Sequence, residues 1–149
     1  MALKPDRVEH LTDLSFFMNE TGERGVITTY SSIGSGAAMD DSSAKVIVAT
    51  GTSDIPAGLL LNDVVNLDLT RQHINFHKDE VQLGGKVLLL KRGTVVTNSV
   101  KVGDTVTVGL PAHFDTDGNL TVTTTSAKVG RFLSSADADG YVKVEIDIN

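Results

Sequence analysis

His73 and His77 stand four residues apart, with Asp79 and Glu80 close behind. On a helix that spacing puts both imidazoles on one face, where neutral ring nitrogens bind a transition metal. The interval is filled by Ile74, Asn75 and Phe76, so the glutamate of an HExxH site, its general base, is missing. Without that base the pair reads as solvent-facing or interface histidines, and no metal is assigned. The aspartate-rich turns invite calcium. Placing Gly140 at position six of an EF-hand loop puts Ser135 at position one and Ile146 at position twelve, where a bidentate glutamate is required. Asp115 and Asp117 before Gly118 offer too few acids. Both stretches read as hairpin turns in which Asp bonds its own main chain.

Nucleophilic chemistry finds no frame. Ser31-Ser32, Ser42-Ser43 and Ser134-Ser135 lie outside any G-x-S-x-G elbow, and there is no cysteine. Gly34-Ser35-Gly36 runs into Ala37-Ala38-Met39 with no Lys-Ser/Thr pair, so it is a loop and not a phosphate cradle. The expectation is a protein that is not an enzyme and takes no cofactor.

The elements around these residues are short. Val142, Val144, Ile146 and Ile148 alternate with Tyr141, Lys143, Glu145 and Asp147, the period-2 signature of a half-buried strand. Asp137-Ala138-Asp139-Gly140 before it predicts a reversal, with Val129 to Leu133 as the partner strand. Val26–Tyr30, Lys45–Ala49, Leu59–Leu61, Val64–Leu69, Thr105–Val108, Ala112–Phe114 and Leu120–Thr125 read as further strands. Lys86–Leu90 and Thr94–Thr97 flank Lys91-Arg92-Gly93 as a hairpin or one kinked strand. The pattern predicts an all-β fold, a small sandwich or barrel of short antiparallel strands, as a single β-rich domain over residues 26–149.

Residues 1–25 are expected to form an N-terminal arm or short helix. Leu11, Leu14, Phe17 and Met18 fit one helical face, and Phe16-Phe17-Met18 must pack on this domain's core or on another chain. The chain carries 13 basic and 19 acidic residues, net −6. Residues 1–85 hold six basic and twelve acidic side chains, whereas residues 86–149 hold seven of each. That balance opposes phosphate-tracking contact with nucleic acid. No apolar run approaches the roughly 20 residues of a membrane span, so no membrane partner is expected, and synthesis in the host cytoplasm fits.

PAGLLLNDVVNLDLTRQHINFHKDEVQLGGKVLLL (56–90) and KVGRFLSSADADGYVKVEI (128–146) resemble the small head decoration or cement proteins of tailed bacteriophages. VKVGDTVTVGLPAHFDTDGNLTV (100–122) and the opening MALKPDRVEHLTDLSFFMNETGERGVIT are similar to the same group. The resemblance implies a structural virion protein on the outer capsid surface, fastening neighbouring major capsid subunits, as a homo-oligomer and commonly a trimer. The candidate capsid or subunit contacts are Leu11, Leu14, Phe16, Phe17, Met18, His73, Phe76 and His77. The alternative is a tail or fibre-associated β-rich binding module. A glycan-reading module would call for exposed aromatics, and two Tyr, five Phe and no Trp supply few.

Overall fold

The computed structural model describes residues 3, 4, 6–31, 44–63, 80, 81 and 86–148. Among them there is no helix. The strands are β1 (Val8–Met18), β2 (Gly22–Glu23), β3 (Ile27–Ser31), β4 (Ala44–Val48), β5 (Pro56–Asp63), β6 (Glu80–Val81), β7 (Lys86–Thr97), β8 (Pro111–Phe114), β9 (Leu120–Thr121), β10 (Gly130–Phe132) and β11 (Val142–Asp147). Nine of them form one mixed sheet in the order β1-β4-β3-β5-β7-β11-β10-β8-β9, and β2 pairs with β6. The expected Val64–Leu69 strand lies outside the described residues.

The sheet closes on itself. β1 pairs with β7 as well as with β4, which makes a ring of β1, β4, β3, β5 and β7. A closed ring with an odd number of strands cannot alternate direction throughout, so one neighbouring pair must run parallel. That pair is β1–β4, from Phe16↔Ala44 to Met18↔Val46, the exception to the expected antiparallel pairing. The other half repeats the arrangement. From β7 the ladder passes through β11, β10, β8 and β9, and returns by a parallel bridge between Leu120 and Val100, just past the end of β7. The Lys101 amide donates to the Leu120 carbonyl at 2.8 Å and the Leu120 amide to the Ser99 carbonyl at 2.9 Å.

β7 is common to both rings. One edge carries β1; the other carries β5 from Val87 to Leu90 and then β11 from Arg92 to Thr97. The sequence left Lys91-Arg92-Gly93 open between a hairpin and a kink, and it is a kink within one strand. Gly93 has φ 152°, and a Cβ there would strike the Val8 carbonyl oxygen. Across this kink the inward face changes parity: Leu90 and Val95 lie in the same core.

Two cores result. The smaller fills the first ring with Phe16, Met18, Val46, Leu60, Val87 and Leu89 among others. The larger takes Leu59, Leu61, Leu90, Phe114, Phe132 and the inner face of β11. β5 and β7 therefore wall off one core from the other. Leu59, Leu60 and Leu61 are all fully buried, as are Leu89 and Leu90. Strands covered on both faces read as unbroken apolar runs, and these do.

Residues 8–18 correct the helical alternative for the opening segment: they are a strand. β1 and β7 lose register between Glu9 and Leu11, between Leu11 and Thr12, and between Asp13 and Phe16. Each added residue shifts the two-residue alternation by one, so outward apolar residues recur every third position at Val8, Leu11 and Leu14. That spacing imitates a helix. Thr105–Val108 is not a strand either; Val106 alone of the four is buried, and the segment is irregular. β9 is shorter than the expected Leu120–Thr125.

The β10–β11 hairpin forms as the alternation predicts, with Arg131↔Glu145 at its centre and Val142, Val144, Ile146 and Ile148 buried. Gly130 lies so close to β11 that a Cβ would collide with the Glu145 carbonyl oxygen. In the turn, Asp137 accepts from the amides of Asp139 and Tyr141, both at 2.9 Å. Those bonds, the Tyr141 amide foremost, outweigh partial desolvation and, with Lys4 nearby, hold the Asp137 carboxyl below its ordinary range. Asp115 binds the amides of Asp117 and Asn119 in the same way, both at 2.9 Å.

Two outcomes follow. Gly130→Ala is expected to lower stability by about 2–3 kcal/mol, roughly 5–10 °C in melting temperature. Gly103→Ala, where nothing lies within 4 Å of the added Cβ and φ is 93°, should lose only about 1 kcal/mol. Equal melting curves for the two variants would contradict the close packing of β10 on β11. Because the folded Asp137 is more acidic than the unfolded one, its contribution is present above about pH 4 and lost as pH falls through the folded value. The melting deficit of Asp137→Ala at pH 7 should therefore shrink on acidification, and a deficit constant down to about pH 2 would sink the assignment.

Candidate functional site

The residues singled out for chemistry separate into two groups. His73, Phe76 and His77 lie outside the described residues. Among the described residues no three His, Cys, Asp or Glu gather as a metal set. The polar residues that do meet are structural. His113 is buried in β8 and donates from Nδ1 to the Ser126 carbonyl at 2.8 Å, while the Ser126 hydroxyl accepts from the Phe114 amide at 2.9 Å. Ser134 accepts from the Lys143 amide at 2.9 Å, which fastens the β10–β11 hairpin.

The other group is the apolar stretch of β1, and the structure divides it. Phe16 and Met18 are buried in the smaller core and Phe17 is half-buried. Leu11 and Leu14 face solvent, each 48% exposed, and Val8, which sequence reasoning passed over, is 49% exposed. These three form a row along a strand that is fixed to β7 over most of its length. The row is carried by the sheet and is presented without further folding.

At one end of the row stands a cluster that no motif announced. The Phe16 and Tyr30 rings meet at 5.7 Å with a tilt of 53°. Lys91 Nζ donates to the Ala57 carbonyl at 2.9 Å and to the Tyr30 hydroxyl at 3.4 Å, lying 5.7 Å from the centre of the Phe16 ring. It reaches there because β7 runs between β1 and β5. The Asp13 carboxyl is pushed up by burial, but the Ser15 hydroxyl and amide and the charge of Lys91 outweigh that and draw it below its ordinary value. Tyr30 and Ile55, flanking the Thr29↔Pro56 pair, extend the surface with half-exposed and exposed apolar area.

A second exposed apolar group lies in the other ring. Val108 and Leu110 bracket Gly109, whose amide donates to the Phe132 carbonyl at 2.9 Å, and Leu133 follows on the same strand. Reading Thr105–Val108 as a strand hid this group, since alternation gives Val108 a place in the core that it does not take. The arrangement as a whole offers hydrophobic contact area on a rigid frame. Scattered hydroxyls and carboxylates are committed to turns.

The comparisons agree with such a frame. The family model described as "Structural cement protein (E217 gp24/Pam3 gp6)" matches residues 12–147. Among solved structures, the N base of head fiber gp8.5 of bacteriophage phi29 is similar to this chain, with a TM-score of 0.53 and 15% identity over 95% of this chain and 94% of that one. At that identity the likeness speaks for the fold. No curated protein matches. Since the family match runs from within β1 to the end of β11, through both rings, the chain belongs to the phage structural cement proteins.

Proposed function

We propose that this protein binds the outer surface of the assembled capsid and fastens neighbouring major capsid subunits, acting as a homotrimer. Membership of the cement family gives a structural, capsid-stabilising role in the virion; attachment to the major capsid protein, on its outer side, is the step beyond it. The observation that carries this step is the row Val8, Leu11 and Leu14, apolar and half-exposed on a strand locked into the first ring. Large apolar side chains held in water on a rigid surface mark contact sites.

The mechanism is preferential binding. A protein that binds the assembled shell and not its separated subunits stabilises the shell by mass action, about 2.7 kcal/mol per site at a hundredfold excess over Kd. A trimer joins several subunits at once, so each further contact forms at high effective concentration. Catalysis has no part in this role. The candidate contacts His73, Phe76 and His77 stay within the proposal, as additions to the β1 row.

The phi29 neighbour favours a second reading, since its title names the base of a head fiber. On that reading this chain seats another module at a few head positions. Copy number in purified virions, measured by quantitative mass spectrometry, separates the two. A number of the same order as the major capsid protein is expected; a few copies per particle would favour the fibre base.

The contact row is tested by the double variant Leu11→Ser, Leu14→Ser. Deleting β1 is unsuitable, because it would open the first ring. Burying the exposed half of each leucine gives about 1 kcal/mol, so the pair should weaken capsid binding roughly 30-fold per site, with little change in melting temperature. Unchanged capsid occupancy would remove the row from the interface.

A further inference from the structure

We infer that the outer edge of β1, from Val8 to Thr12, is a docking edge that accepts an extended strand of the capsid protein by main-chain hydrogen bonding. The inference rests on the capsid-binding reading above. β1 is eleven residues long, and its inner edge is laddered to β7 from Val8 to Phe17. On its other edge β4 pairs only with Phe16, Phe17 and Met18. Among the described residues no strand takes the remainder of that edge. The exposure pattern agrees independently. Residues 8–11 are all exposed, with apolar and polar side chains alike in contact with water, as expected of a strand with one side uncovered.

Natural proteins guard such edges with lysine, proline or a bulge that turns the strand away. In β1 the guard is local to the β4 end. Asp13 accepts from the Ser15 amide at 2.8 Å and from the Ser15 hydroxyl, which occupies the edge beside the β4 ladder. From Val8 to Thr12 there is no lysine and no proline, and Val8 and Leu11 are half in water. An unguarded apolar edge is a template for an added strand.

Charge selects the occupant. Asp6, Glu9 and Asp13 flank this stretch against Arg7, and Arg7 is already paired with Glu9 at 2.8 Å. A second copy of β1 laid along the edge would bring its own Glu9 and Asp13 to these acids, and like charges opposite one another destabilise a strand pair. The edge fits an extended segment in which apolar residues alternate with basic ones. Side chains of that segment would cover Val8 and Leu11, while its main chain completes the ladder.

The test is amide hydrogen exchange on the full-length protein, free and bound to purified capsids lacking it. Those amides of Val8–Thr12 that exchange rapidly in the free protein should slow roughly tenfold or more on the capsid. Leu11→Lys, an edge guard, should abolish attachment, whereas Val102→Lys, at a turn residue 97% exposed, should not. Capsid binding without protection of these amides overturns the strand docking and leaves the capsid-binding reading intact. Protection that appears in the free protein as its concentration rises assigns the edge to a second copy and overturns the inference. Failure of the unmodified protein to bind capsids overturns the proposed function, and this inference with it.

Discussion

The structure depends on one strand having every side in use. β7 holds β1 along one edge, divides the other between β5 and β11, and buries side chains on both faces. A strand so enclosed cannot shift register: a slip by one residue would exchange the contents of two cores at once. The parallel contacts follow from the same arrangement. Each ring has five members, and β1–β4 in one and Val100–Leu120 in the other are where the directions must agree.

Bulges and close backbone approaches let a single strand serve two cores. Thr28 pairs with Gly58 and Thr29 with Pro56, so Ala57 is an added residue in β5, and it faces the smaller core while Leu59 faces the larger. The kink at Gly93 does the same for β7. Lys91, beside that kink, turns its ammonium onto the Ala57 carbonyl and the Phe16 and Tyr30 rings, tying β7 to β5, β1 and β3. A charge with such partners keeps its hydration needs met at the end of an apolar interior.

These devices also set what the sequence revealed. β11 was legible because it has no bulge: Val142, Val144 and Ile146 alternate with charged residues and the structure follows them. β1 was misleading because its register shifts three times, and the resulting spacing of Val8, Leu11 and Leu14 matches a helix better than a strand. Hydrophobicity named the contact stretch but could not divide it. Leu14 and Phe16 are two residues apart and equally apolar, yet one faces water and the other the core, because a register shift lies between Asp13 and Phe16. Lys91 was unreadable for a different reason, since its partners come from three strands distant in the chain.

The sharing of β7 also governs the order in which the chain can fold during synthesis. β1 is made early but has no antiparallel partner until β7 follows, about 70 residues later, and at roughly 5–20 residues per second that is a wait of several seconds. β3, β4 and β5 can pair among themselves in the meantime, but neither ring closes before β7 is available. The second ring waits longer, for β11. Folding is thereby held back until nearly all the strands have emerged, and the long-range pairing makes it slow once begun. The apolar row of β1 stays in the company of the ribosome and chaperones through that interval, before any shell is there to receive it.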